Sequence, residues 1–265
     1  MSARWEVARL DLRLRRRMVV GTAVGTALYL FLVIAMFRAF QQDTALSDFI
    51  RDNPTAASLA GVSGSISTPA GWLGANMYAN IGPLLALMLT IGYGARALAG
   101  EDEEGWLGLV LVSSGAGRGR FFTQKTVVLG LLAAVVPLVS VLTCLVGPAF
   151  GMHPDWGPLL ATSAAMALLA FDLGAVALLV GALGGGRGLS LGVASAVAGA
   201  AYLVSSLAPV VETVHRLRWL SPFQWSVGDA QLVDGVGGAQ WLLLVTLGVV
   251  LVAGGAWAVR RRDMI

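Results

Sequence analysis

Few residues in this chain have the type and spacing to do chemistry. The densest group is the run Glu101-Asp-Glu-Glu-Gly-Trp-Leu-Gly-Leu-Val-Leu111. Carboxylates suit the positive end of a helix dipole. Glu101, Asp102, Glu103 and Glu104 would therefore cap a short helix over 100–113, and Trp106, Leu107, Val110 and Leu111 would give it apolar contact area. Such a helix projecting from the bilayer is awkward without a partner; the other reading of the run is an ordinary solvated loop. Asp172 is the one acid expected inside an apolar stretch. An Asp at mid-helix costs about 2.5–3.5 kcal/mol on the insertion scale, and each Leu, Phe or Val offsets roughly 0.3–0.6. The stretch around it carries enough of these to stay inserted, with Asp172 facing protein or water as a packing residue or as a pathway residue.

Other chemistry finds no constellation. A phosphate-cradling loop needs Gly-Lys followed by Ser or Thr; the single lysine, Lys125, follows Gln124 and precedes Thr126. Gly184-Gly-Gly-Arg-Gly188 has no lysine and reads as a tight turn. Gly61-Val-Ser-Gly64 has the form of some membrane-embedded serine nucleophiles, yet nothing ties Ser63 to His153 or His215, and a nucleophile needs a base within reach. Neither histidine has a second metal ligand at helical spacing, although Asp155 is close to His153. Cys144 is alone, so it forms no internal disulfide and no multi-cysteine metal site. The expectation is a chain with no catalytic site, metal or cofactor of its own.

The elements that must position these residues are apolar. The 265 residues are 57% hydrophobic and 12% charged, against about 25% charge in an ordinary soluble domain. A bilayer core of about 30 Å takes about 20 apolar residues per helix. Spans are predicted near 18–38, 78–98, 126–147, 158–183, 189–209 and 239–259, forming one transmembrane domain over 1–265. Period-two alternation, the mark of a membrane barrel, is missing. The fold class is therefore an all-α integral membrane protein.

Basic residues orient the spans. Arg4, Arg9, Arg13, Arg15, Arg16, Arg17, Arg96, Arg118, Arg120, Lys125, Arg187, Arg260, Arg261 and Arg262 fall on one side of a six-span arrangement, and Arg38, Arg51, Arg216 and Arg218 on the other. Fourteen against four predicts both termini in the cytoplasm. These residues flank spans and build no groove-reading motif, so nucleic acid is not the expected partner.

Several local expectations follow. Residues 1–17 form a short helix at the membrane surface, with Val7, Leu10 and Leu14 on a lipid stripe that Leu12 does not fit. The first apolar stretch is an uncleaved span, being too long for a signal-peptide core. Gly21 and Gly25 have a spacing that permits close helix approach. Residues 41–77 form a long outer loop. The outer segment 210–238 contains a short helix with Trp219, Phe223 and Trp225 at headgroup depth.

The run Ala99-Gly-Glu-Asp-Glu-Glu-Gly-Trp-Leu-Gly-Leu-Val-Leu111, with Arg118 and Lys125 beyond it, resembles a segment of the permease subunits of ABC-2 type ATP-binding-cassette transporters. Trp106 stands where Thr is usual in that family, Gly108 where Glu is, Gly115 where Pro is, and Gln124 where Gly is. Leu220-Ser-Pro-Phe-Gln-Trp225, Gly228-Asp229, Asp234-Gly235 and the closing Arg261-Arg-Asp-Met264 are similar to the family's segments around the last span. The likeness covers nearly the whole chain and is greatest to permeases grouped with multidrug and antibiotic-resistance exporters, such as that for tetronasin.

The resemblance implies a plasma-membrane permease of a bacterium that exports a hydrophobic or amphipathic small molecule. It implies two six-span units, identical or homologous, and separate P-loop ATPase subunits that bind ATP and Mg. The 100–113 segment would be the coupling helix, with Glu101, Glu103, Glu104, Gly105, Trp106, Leu107 and Leu109 on the ATPase. Two other classes compete. An ion-coupled secondary transporter would want internal repeats and more intramembrane charge. A membrane scaffold would recruit a cytoplasmic partner through 101–111 without transport.

Overall fold

The computed structural model describes residues 5–41, 67–105, 117–209, 211–228 and 231–261. Six helices are long and apolar enough to cross a membrane. α1 is Glu6–Gln41. The second span, Pro69–Glu103, has α2, Ile81–Ala95, as its core. α3 is Arg118–Cys144, α4 Trp156–Ala182, α5 Arg187–Leu207 and α6 Gly238–Arg261. No strand occurs among the described residues.

α4 is the axis of the bundle. It packs against α2, α3, α5 and α6, while α1 lies on α3. Its buried face is rich in small residues, including Ala170, Gly174, Ala177 and Gly181. Without a hydrophobic drive between helices in lipid, small residues win by letting backbones approach. Gly94 of α2 meets Gly174 of α4 so closely that a Cβ on Gly94 would fall 2.3 Å from the Gly174 carbonyl oxygen. The outward faces carry Leu28, Leu32, Met88, Leu189, Leu242 and Val249, all exposed. Apolar side chains turned outward along whole helices fit hydrocarbon as the surrounding solvent.

One end of the bundle gathers the basic residues. Ala258 and Val259 near the end of α6 share an apolar cluster with Val7, Ala8 and Phe121 from the starts of α1 and α3. Glu103, at the end of the second span, accepts a hydrogen bond from the Arg187 amide at the start of α5 (2.8 Å). Successive spans therefore run in alternating directions.

Four expectations are corrected. The N-terminal arm is not a separate surface helix. α1 is continuous over 36 residues, about 54 Å at 1.5 Å per residue, well beyond the bilayer core. No Gly or Pro interrupts 6–20, and extending a helix is easier than nucleating another. Val7 faces the core and Leu12 packs beside it, while Leu10 and Leu14 point away.

The aromatic residues of the outer segment also divide. Trp219 is exposed, but Phe223 and Trp225 are buried because the turn Pro222–Ser226 folds back into the bundle. Irregular backbone inside a membrane protein is tolerated where protein pairs its polar groups. Here Ser221 Oγ donates to the Ala201 carbonyl (2.6 Å) and Gln231 Nε2 to the Gln224 carbonyl (2.9 Å).

Finally, Gly21 and Gly25 make no close approach; a Cβ at either would meet open space. The expected outer loop 41–77 is also shorter at its end, since Pro69–Tyr78 is helical and belongs to the second span; its residues 42–66, including Ser63, and the closing Asp263 and Met264 lie outside the described residues.

Candidate functional site

The acidic run does not begin a new helix. A π-helical turn, Arg96–Gly100, carries the second span directly into the single turn Glu101–Glu103, with no capping side chain at the junction. The acids thus sit at the C-terminal, negative end of a helix dipole, the reverse of the expected placement. Such placement is unfavourable unless cations or other helix ends compensate it. The surrounding chain supplies both.

Lys125 is the main compensator. It lies two turns inside α3, not before the span, and its side chain is 1% exposed. Its Nζ donates to both carboxylate oxygens of Asp11 (3.2 and 3.0 Å) and to Glu101 Oε1. Tyr93 donates its hydroxyl to Asp11 Oδ2 (2.8 Å), and the Arg15 guanidinium lies 4.7 Å from the Tyr93 ring centroid. Gln124 Oε1 accepts the Ala8 amide (3.2 Å), one of the N–H groups that the first turn of α1 cannot satisfy itself. One buried knot thus ties the start of α1, the end of the second span and the start of α3. Burial makes it stringent, since an ion pair out of water needs all its partners.

The remaining predicted contact residues are placed as follows. Glu103 is exposed, and its Oε1 bonds the Arg187 amide at the N-terminal end of α5, where negative charge is favourable. Glu104 is half exposed and pairs with Arg96 (3.3 Å). Gly105 ends the turn at φ +72°, a conformation glycine adopts without strain. Trp106, Leu107 and Leu109 lie outside the described residues. Asp11 and Tyr93 were not singled out in the sequence. The signal available was a lone lysine beside an apolar run, which must find an acid.

Two cavities flank α5. One, of about 550 Å³, lies between α2 and α5 and is lined by Leu84, Met88, Ile91, Leu191, Ala198 and Phe223. Tyr202 closes one side by donating to Asn80 Oδ1, and its ring meets Phe223 edge-on at 5.5 Å. The other, of about 420 Å³, lies between α4, α5 and the turn 220–225, and Asp172 is in its wall. α5 itself is lightly held, its buried residues being Ser190, Ala194, Ala198 and Ala201. Cys144 is buried in an apolar cluster with residues of α1, α3 and α4, and Asp155 caps α4 by accepting the Gly157 amide (3.1 Å).

These features define a multi-pass helical membrane protein with an internally locked charged end and apolar cavities between its helices. No protein-family model matches the chain, and no curated protein matches it.

Proposed function

We propose that the chain is the membrane permease subunit of an ABC-2 type exporter for a hydrophobic or amphipathic small molecule. A separate P-loop ATPase subunit hydrolyses ATP and docks on the segment that begins at Glu101. Both termini and this segment lie in the cytoplasm of a bacterium, at its plasma membrane, and a second permease, identical or homologous, completes the pathway.

The observation that carries this reading is the knot of Asp11, Glu101 and Lys125. It fastens the foot of the second span to α1 and α3. A force applied at 101–111 would therefore reach several spans together, as an ATP-driven rearrangement requires. The apolar cavity between α2 and α5 supports the cargo class, because an apolar wall with few polar groups suits a hydrophobic ligand.

The test is co-purification of the chain with a P-loop ATPase encoded beside it. Replacing Glu104, Gly105 and Trp106 together (E104A, G105V, W106A) should abolish the complex or its cargo-stimulated hydrolysis. Unchanged hydrolysis and complex formation would remove the docking role. Cargo movement driven by an ion gradient, with no ATPase present, would favour secondary transport instead.

A further inference from the structure

Asp172 lies in the middle third of α4, and its side chain is wholly buried. Neither carboxylate oxygen has a hydrogen-bond partner among the described residues. Asp11, the other buried acid among the described residues, reaches Lys125, as does the partly exposed Glu101. Gly248 of α6 stands against Asp172, where a Cβ would fall 2.6 Å from Oδ1, so the missing side chain there makes room for the carboxylate. Asp172 also borders the cavity of about 420 Å³ between α4, α5 and the turn 220–225, although neither carboxylate oxygen presents surface to it. A buried carboxylate without a partner is costly as an ion, and a turn of its side chain away from Gly248 would bring it to a space large enough for a small molecule.

The wall fixes the kind of cation. Besides Asp172 it is formed mainly by aliphatic residues such as Leu173, Val176 and Leu247. A hard metal ion needs six or more oxygen ligands, which this wall does not offer. Ser221 commits its proton to the Ala201 carbonyl, and the Trp225 indole N–H is committed to the Trp219 carbonyl (2.9 Å). What remains of Trp225 is ring surface, which attracts cations. Val197 and Ala200 line the cavity and are exposed, so it opens to the outside of the bundle.

We propose that Asp172 and this cavity bind an organic cation: a protonated amine whose N–H groups donate to the carboxylate once its side chain turns from Gly248 into the cavity, and whose apolar body lies along the aliphatic wall. As a cargo subsite it rests on the exporter reading; as a cation site it does not.

Equilibrium binding to the purified full-length chain in zwitterionic lipid nanodiscs, without any ATPase, tests the site alone. The probe is dansylcadaverine, followed by energy transfer from tryptophan, with its neutral N-acetyl derivative as the comparison. The amine should bind the wild-type chain about tenfold or more tighter than it binds Asp172→Asn. The neutral derivative should bind both weakly and alike. Ala200→Leu, which narrows the cavity and keeps the carboxylate, should also weaken the amine. If Asp172→Asn does not fold, the amine-to-neutral comparison on the wild type and on Ala200→Leu still decides. Equal binding of amine and neutral probe to the wild type, or undiminished amine binding by a folded Asp172→Asn, would overturn the proposal. Failure of ATP-driven efflux would leave the site standing and count only against its role in cargo binding.

Discussion

At the scale of single residues, Lys125 carries the most consequence. Its buried ammonium offsets the buried carboxylate of Asp11 and the partly buried one of Glu101. Removing one partner of a buried pair leaves charge uncompensated, at a cost of about 3–5 kcal/mol. Lys125→Met should therefore lower the thermal unfolding midpoint of the detergent-purified chain sharply. Adding Asp11→Asn and Glu101→Gln to that variant should recover much of the loss. Equal and additive losses for all three changes would mean that the residues do not act as a unit. The sequence disclosed half of this knot. The acid run stood out by its density, and Asp172 by its place in an apolar stretch. The bond from Lys125 to Asp11 did not, because it joins residues 114 positions apart and no local period records such a meeting. Asp11 also sits among Arg9, Arg13 and Arg15, cations far nearer to it in sequence than Lys125.

At the scale of helices, close approach decides the architecture. α2, α3 and α4 converge at Gly94 and Gly174, where a Cβ on Gly174 would lie 2.7 Å from Leu129 Cδ1 and 2.8 Å from Thr90 Cβ. Overpacking of this kind costs about 1–3 kcal/mol or more, and backbone cannot swing aside as a side chain can. Gly94→Ala should reduce the folded yield and lower the unfolding midpoint, measured by size exclusion after a heating series. Gly25→Ala, facing open space, should leave both unchanged. A tolerant Gly94 would mean that the helices separate without penalty. The spans themselves were legible, because hydrocarbon thickness sets a length that apolar runs report directly. Which glycines mattered was not legible. The Gly21 and Gly25 spacing is a feature of one helix, whereas the meeting of Gly94 and Gly174 belongs to two. The extension of α1 back to Glu6 escaped for a related reason. Its arginines read as a boundary by hydropathy, although they are good helix formers.

At the scale of the whole molecule, the reading rests on which end faces the cytoplasm. ATP is there, so an ATPase can grip Glu101–Gly105 only if the basic end is inside. The bundle brings the starts of α1, α3 and α5 to the same end as the close of α6. Orientation thus reduces to one choice between two, and the excess of Lys and Arg at that end favours the cytoplasm. Cysteine labelling makes the choice directly. The native Cys144 is buried and can be replaced by Ala to give a background without thiols. A cysteine at Gly188, at the start of α5, reports the basic end, and one at Ala149, in the 3-10 turn Gly147–Phe150, reports the other; both positions are exposed. A membrane-impermeant maleimide applied to intact cells should label Ala149→Cys and spare Gly188→Cys, and lysis should then open Gly188→Cys to the reagent. The opposite pattern would put the acidic run outside the cell, beyond the reach of any ATP-hydrolysing partner. The buried knot would survive that result as architecture, but it could no longer transmit force from a nucleotide-driven subunit.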